Sequence, residues 1–519
     1  MTVFTKRVRL FLFIFLHIVF LFGSQIKAQG YYKDIFVDAG VGLSNFSQLP
    51  AITFLTLSSE FILTESQSAQ NLLMIENQFD ANGVLLYPDG EPRFRVIYTN
   101  GGSSITHGNS LGSEGRERIT EFFQNGGCYT GSCAGSAIFS RGRDPYVEEY
   151  SYYKLWPGFV QRVTVGPLSV GLTIPENSPL LDYYDYGADS YIDNVQFNYG
   201  NYANENASYP PETEILLYYD EPGQAMHNHV ACWAYKESET TGRGVVIGCH
   251  PEGYSFGERL ELMSAILSYA LDGPGSPTIK GNLDKSVERI MDKEWGDNDH
   301  AFAKIGDRQY HHFKINVDGT AENFTVTLNG ANGYNFNLYI RKNNLVTIDE
   351  YDYSDISAGS DKILTIPVAT SGDYYIAVEL AESVEAELAA TQYNYVDNLE
   401  VLNGIPYSIT VDWEGIATGI INDTNIPQHF TLEQNYPNPF NPSTTIRYEL
   451  PTSGYVRLDI FDIRGRLVTT LINEEQIAGV HHAYWNGTNQ YGNKCSSGVY
   501  IYQLIAGNTR LQKQMVLMK

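Results

Sequence analysis

Cys133 lies inside the pentapeptide Gly-Ser-Cys-Ala-Gly, within the longer run GGCYTGSCAGS from Gly126 to Ser136. A thiol framed by glycines suits a sharp strand-to-helix turn. Gly131 and Gly135 let backbones crowd where a Cβ would clash, and the sulfur is then held out at the top of a sheet. A nucleophilic thiol needs a base, and GVVIGCHPE (Gly244 to Glu252) offers one: a short apolar strand ending in His250, with Glu252 two residues on. A strand-end imidazole can reach a thiol, and the carboxylate can hold its other ring nitrogen and fix the tautomer. The run RVIYTNGG (Arg95 to Gly102) is a strand entering a glycine pair, where bare backbone N–H groups can face a developing oxyanion. Gly102 N–H together with Ala134 N–H would form that hole. The chemistry is nucleophilic attack of Cys133 on an amide carbonyl.

These groups need elements to position them. SEGRERITEFFQN (Ser113 to Asn125) places Ile119, Phe122 and Phe123 on one helical face, and Gly126-Gly127 closes it as a C-cap. The segment DIFVDAG (Asp34 to Gly40) predicts an apolar opening strand. Between the turn and His250 the chain is tyrosine-rich and reads as irregular loops, Tyr146 to Val160 and Asp182 to Tyr191. Loops after strands of such a sheet build the ligand site, so these aromatics are candidates for its walls, or else they pack an insertion. A helix over Gly257 to Leu271, with Leu260, Met263, Ile266 and Leu267 on one face, precedes a break at GPGSP (Gly273 to Pro277).

The order strand-Gly-Gly, helix, G-x-C-x-G and H-P-E resembles the class I glutamine amidotransferase-like superfamily, and most of all the branch typified by the N-terminal domain of biotin-protein ligases. The stretches that carry the likeness are Leu111 to Ser136, PETEILLYYDE (Pro211 to Glu221) and VVIGCHPE (Val245 to Glu252). It covers roughly Tyr31 to Asp272, about half the chain, and implies a flavodoxin-like, doubly wound parallel sheet with helices on both faces. It also implies Cys133 as nucleophile, His250 as base and Glu252 as its orienter. A glutamine amidotransferase passes ammonia to a synthetase domain. No P-loop or other nucleotide-binding signature accompanies this one, so hydrolysis is favoured over transfer.

Cys128, Cys232 and Cys249 sit in or beside apolar strand-like runs and read as core fillers. His227 and His229 suggest a metal pair, but no third ligand is spaced to join them, so neither a metal nor a cofactor is expected. Five cysteines in a chain of 519 residues do not make a disulfide framework. The net charge of −26 becomes −30 without Met1–Ala28, which holds four basic residues and no acidic one. Such a surface repels nucleic acid and anionic membrane, which excludes both as partners. Residues 1–28 have Lys6, Arg7 and Arg9 followed by an apolar run from Leu10 to Phe22, the pattern of a signal peptide with no spanning helix left in the mature chain.

Residues 282–413 change character, with alternation over His311–Val317, Asn323–Leu328, Phe336–Arg341, Lys362–Val368, Asp373–Glu379 and Tyr407–Trp413. This predicts a β-sandwich, and it resembles the bacterial pre-peptidase C-terminal family. Asp349, Asp352, Asp355 and Asp361 read as a solvated acidic loop rather than a calcium site. A linker over 414–429 leads to a second, smaller β-sandwich over 430–519. Its opening YPNPFNP (Tyr436 to Pro442), its run VRLDIFDIRGRLV (Val456 to Val468) and its end QKQMVLMK (Gln512 to Lys519) resemble the C-terminal sorting domain of type IX secretion substrates. The expectation is a multidomain protein: signal peptide, α/β domain over 29–274, then two β-sandwiches. It would be a secreted or surface cysteine hydrolase of C–N bonds in an amide or peptide substrate, with the type IX machinery as partner. A non-catalytic surface-binding or adhesin-like protein on the same fold is the alternative.

Overall fold

The computed structural model describes residues 33–44, 49–62, 84–143, 147–204, 209–273, 278–297, 299–347, 350–389, 392–415, 429–436, 438–440, 444–452, 454–476, 479–490, 493–507 and 509–518. The expected signal peptide, and all but the ends of the expected linker, lie outside these residues. The chain is multidomain and mostly β. It forms two compact units, residues 1–416 and 417–519.

The first unit is built on a mixed sheet. Its strands are β1 (Lys33–Asp38), β2 (Ser59–Ile62), β3 (Phe94–Thr99), β4 (Cys128–Ser132), β5 (Ser140–Arg143), β6 (Val147–Glu148) and β7 (Trp156–Arg162), then β8 (Leu168–Thr173), β9 (Tyr191–Phe197), β10 (Asn201–Ala203), β11 (Thr213–Asp220), β12 (Val230–Tyr235) and β13 (Gly244–Ile247). Five neighbours, in the order β2-β1-β3-β4-β13, run parallel. Their apolar runs suit strands covered on both faces. Beyond β13 the sheet turns antiparallel through β12, with β10 and β7 on one branch and β11, β8 and β9 on the other.

The helices are α1 (Pro50–Phe54), α2 (Ser104–Ser110), α3 (Gly112–Gln124), α4 (Ala134–Phe139) and α5 (Glu258–Leu271). Helix α3 buries Ile119, Phe122 and Phe123 and ends where Gly126, at φ 102°, donates to Phe123 O. The sequence differs from this picture between the turn and His250. Of the two segments read as loop, Asp182–Ser190 is indeed short 3₁₀ turns and loop, whereas Val147–Glu148 and Trp156–Val160 lie in strands β6 and β7. The tyrosines there hid the period-2 pattern, because several of them face cores on both sides of the sheet.

The middle region packs a five-stranded sheet, which includes Tyr310–Val317, Gly372–Leu380 and Phe336–Lys342, with a four-stranded sheet, which includes Tyr407–Gly415, Ala321–Gly330 and Lys362–Ala369. One apolar core runs from the mixed sheet (Phe94, Phe122, Trp156, Trp233) into this sandwich (Phe313, Phe324, Phe336, Tyr407). The acidic residues near its edge act as local caps: Asp352 accepts from Lys342 N, Asp355 from Ser357 N and Asp361 from Gly330 N. Asp349 lies outside the described residues. In the second unit, sheets of three and four strands enclose Phe440, Tyr448, Trp485 and Tyr502.

Polar groups buried where the mixed sheet meets the sandwich fix one to the other. Arg93, between β3 and a tight turn, donates through Nε to Asp307 Oδ2 at 2.6 Å. Asp307 Oδ1 accepts from Val384 N, and Tyr87 OH donates to Asp307 O at 2.8 Å. Lys280 Nζ lies 2.6 Å from Asp89 Oδ2 and 2.8 Å from Glu91 Oε1, while Gln309 Nε2 and His311 Nε2 also face Asp89. Each charge here has a partner across the junction, as a charge removed from water requires. Removing one partner leaves the other charge buried and unpaired. Asp307→Ala is therefore expected to destabilise the first unit by about 3–5 kcal/mol. Arg141→Ala, which breaks the exposed pair with Glu148, should move the midpoint far less. Urea unfolding of the whole chain measures both.

His312 is buried beside this network with neither ring nitrogen hydrogen-bonded among the described residues. Burial, aided by the charges of His311 and Lys280, pushes its imidazole down to about 3. The unfolded chain therefore takes up a proton near pH 6.5 that the folded one refuses, and stability falls as pH drops from about 6.5 toward 3, at up to about 1.4 kcal/mol per pH unit. His312→Phe should flatten that slope, measured as the urea midpoint at pH 7 and at pH 4.5.

Candidate active site

Strand β4 is wholly buried between β3 and β13 and ends at Cys133, whose backbone has φ 49° and ψ −100°. A non-glycine residue holds such a conformation at a cost of about 1–3 kcal/mol, so its surroundings must fix it. Cys133 N donates to Ile247 O at 2.9 Å. Cys133 O accepts from Asn201 Nδ2 at 2.8 Å, and Ser136 Oγ sits 2.7 Å from that carbonyl and 3.0 Å from Asn201 Oδ1. The glycines permit the crossing: a Cβ on Gly135 would stand 2.2 Å from Thr99 O, and one on Gly131 would stand 2.9 Å from Gly135 Cα.

The chain leaves β13 toward His250, whose N donates to Gln196 O at 2.8 Å and anchors the ring beside β9. His250 Nδ1 is 2.8 Å from Glu252 Oε1, and Glu252 is 1% exposed. Gly101, after β3, lies against both groups. A Cβ there would be 2.5 Å from His250 Cε1 and 3.4 Å from Cys133 Cβ. Burial works against charge on His250. Hydrogen bonds to Cys133 and Glu252, with the charge of Glu252, outweigh it and push the imidazole up to about 11. The three residues picked from distant parts of the sequence thus stand together.

Gly102 has φ 145°, and a Cβ on it would lie 2.4 Å from Gly42 O. The loops after β1 and β3 are laced by Ser44 N to Gly101 O and Ser103 N to Gly42 O, both 2.7 Å. Behind them His107 is buried, with Nε2 2.7 Å from Asp38 Oδ2 and 3.0 Å from Tyr153 OH. Among the described residues, neither Gly102 N nor Ala134 N has an acceptor. Both residues line a cavity of about 330 Å³ with Cys133 and His250.

Other groups fall elsewhere. Burial pushes the Cys128 thiol up to about 11 and those of Cys232 and Cys249 well above their ordinary range, which keeps all three protonated. His227 Nδ1 is 3.5 Å from Asp220 Oδ1 and His229 stacks on Tyr202, so the two rings have separate partners. Of the tyrosines expected as walls, Tyr152 lines the cavity, whereas Tyr183, Tyr184 and Tyr186 pack in the core under α5. Sequence reading missed Asn201, His107, Arg143 and Arg162. The register that brings Asn201 and the two arginines to the cavity belongs to short strands that no local pattern marks, and nothing in the sequence marks His107 as a support.

Two family models match parts of the chain. The one described as Bacterial pre-peptidase C-terminal domain matches residues 309–380, and the one described as FlgD Ig-like domain matches residues 442–509. Both lie outside the segments that hold Cys133, His250 and Glu252. No curated protein matches. Among solved structures, PorZ of Porphyromonas gingivalis, described as an essential bacterial surface component of the type-IX secretion system, is 22% identical, with 17% of this chain and 11% of that one covered and a TM-score of 0.13. FlgD from P. aeruginosa is 26% identical, with 14% and 59% covered and a TM-score of 0.13. The pre-peptidase C-terminal domain of collagenase from Bacillus anthracis is 13% identical, with 27% and 100% covered and a TM-score of 0.17. This chain therefore spans 11% of the length of PorZ and 59% of that of FlgD. Its middle region carries a pre-peptidase C-terminal domain, and its last module matches an Ig-like β-domain.

Proposed function

We propose that the mixed-sheet domain is a cysteine-dependent hydrolase of amide C–N bonds, an amidase or peptidase-like enzyme on an amidotransferase-like, flavodoxin-like fold. The observation that carries this reading is Cys133 at φ 49° on a turn closed by glycines, facing a histidine whose far nitrogen is held 2.8 Å from a buried carboxylate. The five parallel strands, with the turn at the end of the fourth, support the fold assignment. In the reaction the Cys133 sulfur attacks the amide carbonyl, and Gly102 N–H and Ala134 N–H hold the oxyanion. The C–N bond breaks as His250 gives its proton to the leaving amine, which leaves a thioester. His250 then takes a proton from water, whose oxygen attacks the thioester and releases the acid and the thiol. Glu252 keeps the imidazole in the required tautomer and balances its charge.

The charge on His250 gives the test. A thiol paired with a histidine held in this way is a faster nucleophile than an unpaired one. Iodoacetamide at pH 6, read by peptide mass spectrometry, should label Cys133 about tenfold or more faster than it labels glutathione. Cys128, Cys232 and Cys249 should stay unlabelled. His250→Ala should abolish the excess, and Glu252→Gln should reduce it. A Cys133 no faster than an ordinary thiol would instead favour a non-catalytic binding platform.

The same proposal extends to address. Lys6, Arg7 and Arg9 before an apolar run, and the YPNPFNP-to-Lys519 module, support export and then type IX delivery to the surface or medium. In a host with that machinery, deletion of residues 430–519 should trap the protein in the periplasm, assayed by fractionation and immunoblot.

A further inference from the structure

The mouth of the Cys133 cavity runs against the charge of the chain. Among the described residues that line it there is no Asp or Glu, yet Arg143 and Arg162 are both present, in a protein with 60 acidic and 34 basic residues. Strand register explains why both reach it. Arg143 of β5 pairs with Val160 of β7, Arg162 lies two residues further along β7, and Arg162 pairs with Asn201 of β10. Paired residues share a face, as do residues two apart, so Arg143, Val160, Arg162 and Asn201 form one wall, and all four line the cavity.

The two guanidiniums are not equivalent. Arg143 is tied to Glu149 through Nε at 2.9 Å. Arg162 is exposed and has no carboxylate within ion-pair distance among the described residues. Asn201 joins this wall to the nucleophile, since its side chain holds Cys133 O.

We infer that the substrate carries a carboxylate a few atoms from the scissile amide, and that Arg162, with Arg143 beside it, receives that group. A guanidinium presents paired donors that match a carboxylate, and a carboxylate is the anion that amino acids and peptide C-termini carry next to an amide. This rests on the hydrolase reading above and names its substrate class.

The test uses two reagents that differ in charge. The Cys133 sulfur displaces iodide from the CH₂ carbon of iodoacetamide or of iodoacetate, so the S–C bond forms and the C–I bond breaks in both. Only iodoacetate carries a carboxylate. With the full chain at low ionic strength, the iodoacetate-to-iodoacetamide rate ratio at Cys133 should exceed that of glutathione by about tenfold and shrink in about 0.5 M NaCl. Arg162→Gln should lower the ratio about three- to tenfold, and Arg162→Lys should lose less of it. Arg143→Gln should lower it to a smaller extent. Fast labelling by iodoacetamide with a ratio equal to that of glutathione, unmoved by Arg162→Gln, overturns the carboxylate site and leaves the hydrolase reading standing. Slow labelling by both reagents overturns the hydrolase reading and this inference with it.

Discussion

The close crossing of α4 over the end of β3 is the constraint on which the site depends. Thr99 O occupies the space that a Cβ on Gly135 would need, so the chain can turn there only with glycine at that position. Once the turn is that tight, Cys133 has little choice of backbone conformation, and its sulfur must project from the sheet end. Every other feature supports this placement. Asn201 and Ser136 satisfy the Cys133 carbonyl, Ile247 satisfies its N–H, and Gly101 leaves room for the imidazole. The geometry of the site is therefore set by what is absent from three glycines as much as by what Cys133, His250 and Glu252 contribute.

Charge placement follows the same logic of exclusion. Burial alone would strip His250 of its proton, yet the ring sits between a sulfur and a carboxylate that both prefer it charged. Glu252 is itself out of water, and its Oε2 has no hydrogen-bond partner among the described residues. An unpaired carboxylate oxygen at that depth is costly, and the neighbouring imidazolium is what offsets it. Histidine and glutamate are thus mutually dependent, whereas burial dominates at Cys128, Cys232 and Cys249 and pushes each thiol up.

Much of this was legible in the sequence, and the reasons are local. The glycine frame around Cys133, the C-cap at Gly126 and the apolar strand Gly244–Ile247 just before His250 are short-range signals, and each fixes geometry within a few residues. The six alternating strands of the middle region were equally readable, because strands such as Ala321–Gly330 and Lys362–Ala369 alternate buried and wetter positions, although Tyr310–Val317 and Gly372–Leu380 are largely buried on both faces. The stretch Trp156–Val160 of β7, inside the tyrosine-rich region, was not legible. A tyrosine can face a core or water, so the alternation there has no clear phase, and strands with both faces covered look like irregular aromatic loop. The register that delivers Asn201, Arg143 and Arg162 to the cavity comes from short strands that no local pattern announces. The pairing of Arg93 with Asp307 and of Asp89 with Lys280 spans about two hundred residues, and no local pattern announces it.

That junction bears on how the molecule can be divided. A break at Gly273 to Pro277 looks like a natural place to cut out the first domain, and the glycines and prolines invite it. A fragment ending there would keep Asp89 and Arg93 but lose Lys280, Gln309, His311 and Asp307, and would bare Phe94 and its neighbours, which share a core with Phe313 and Phe336. The sandwich is in this sense the missing wall of the mixed-sheet domain. A fragment that keeps this core closed would have to extend to about residue 415, near the end of the first compact unit, and the sandwich would travel with it as part of its interior.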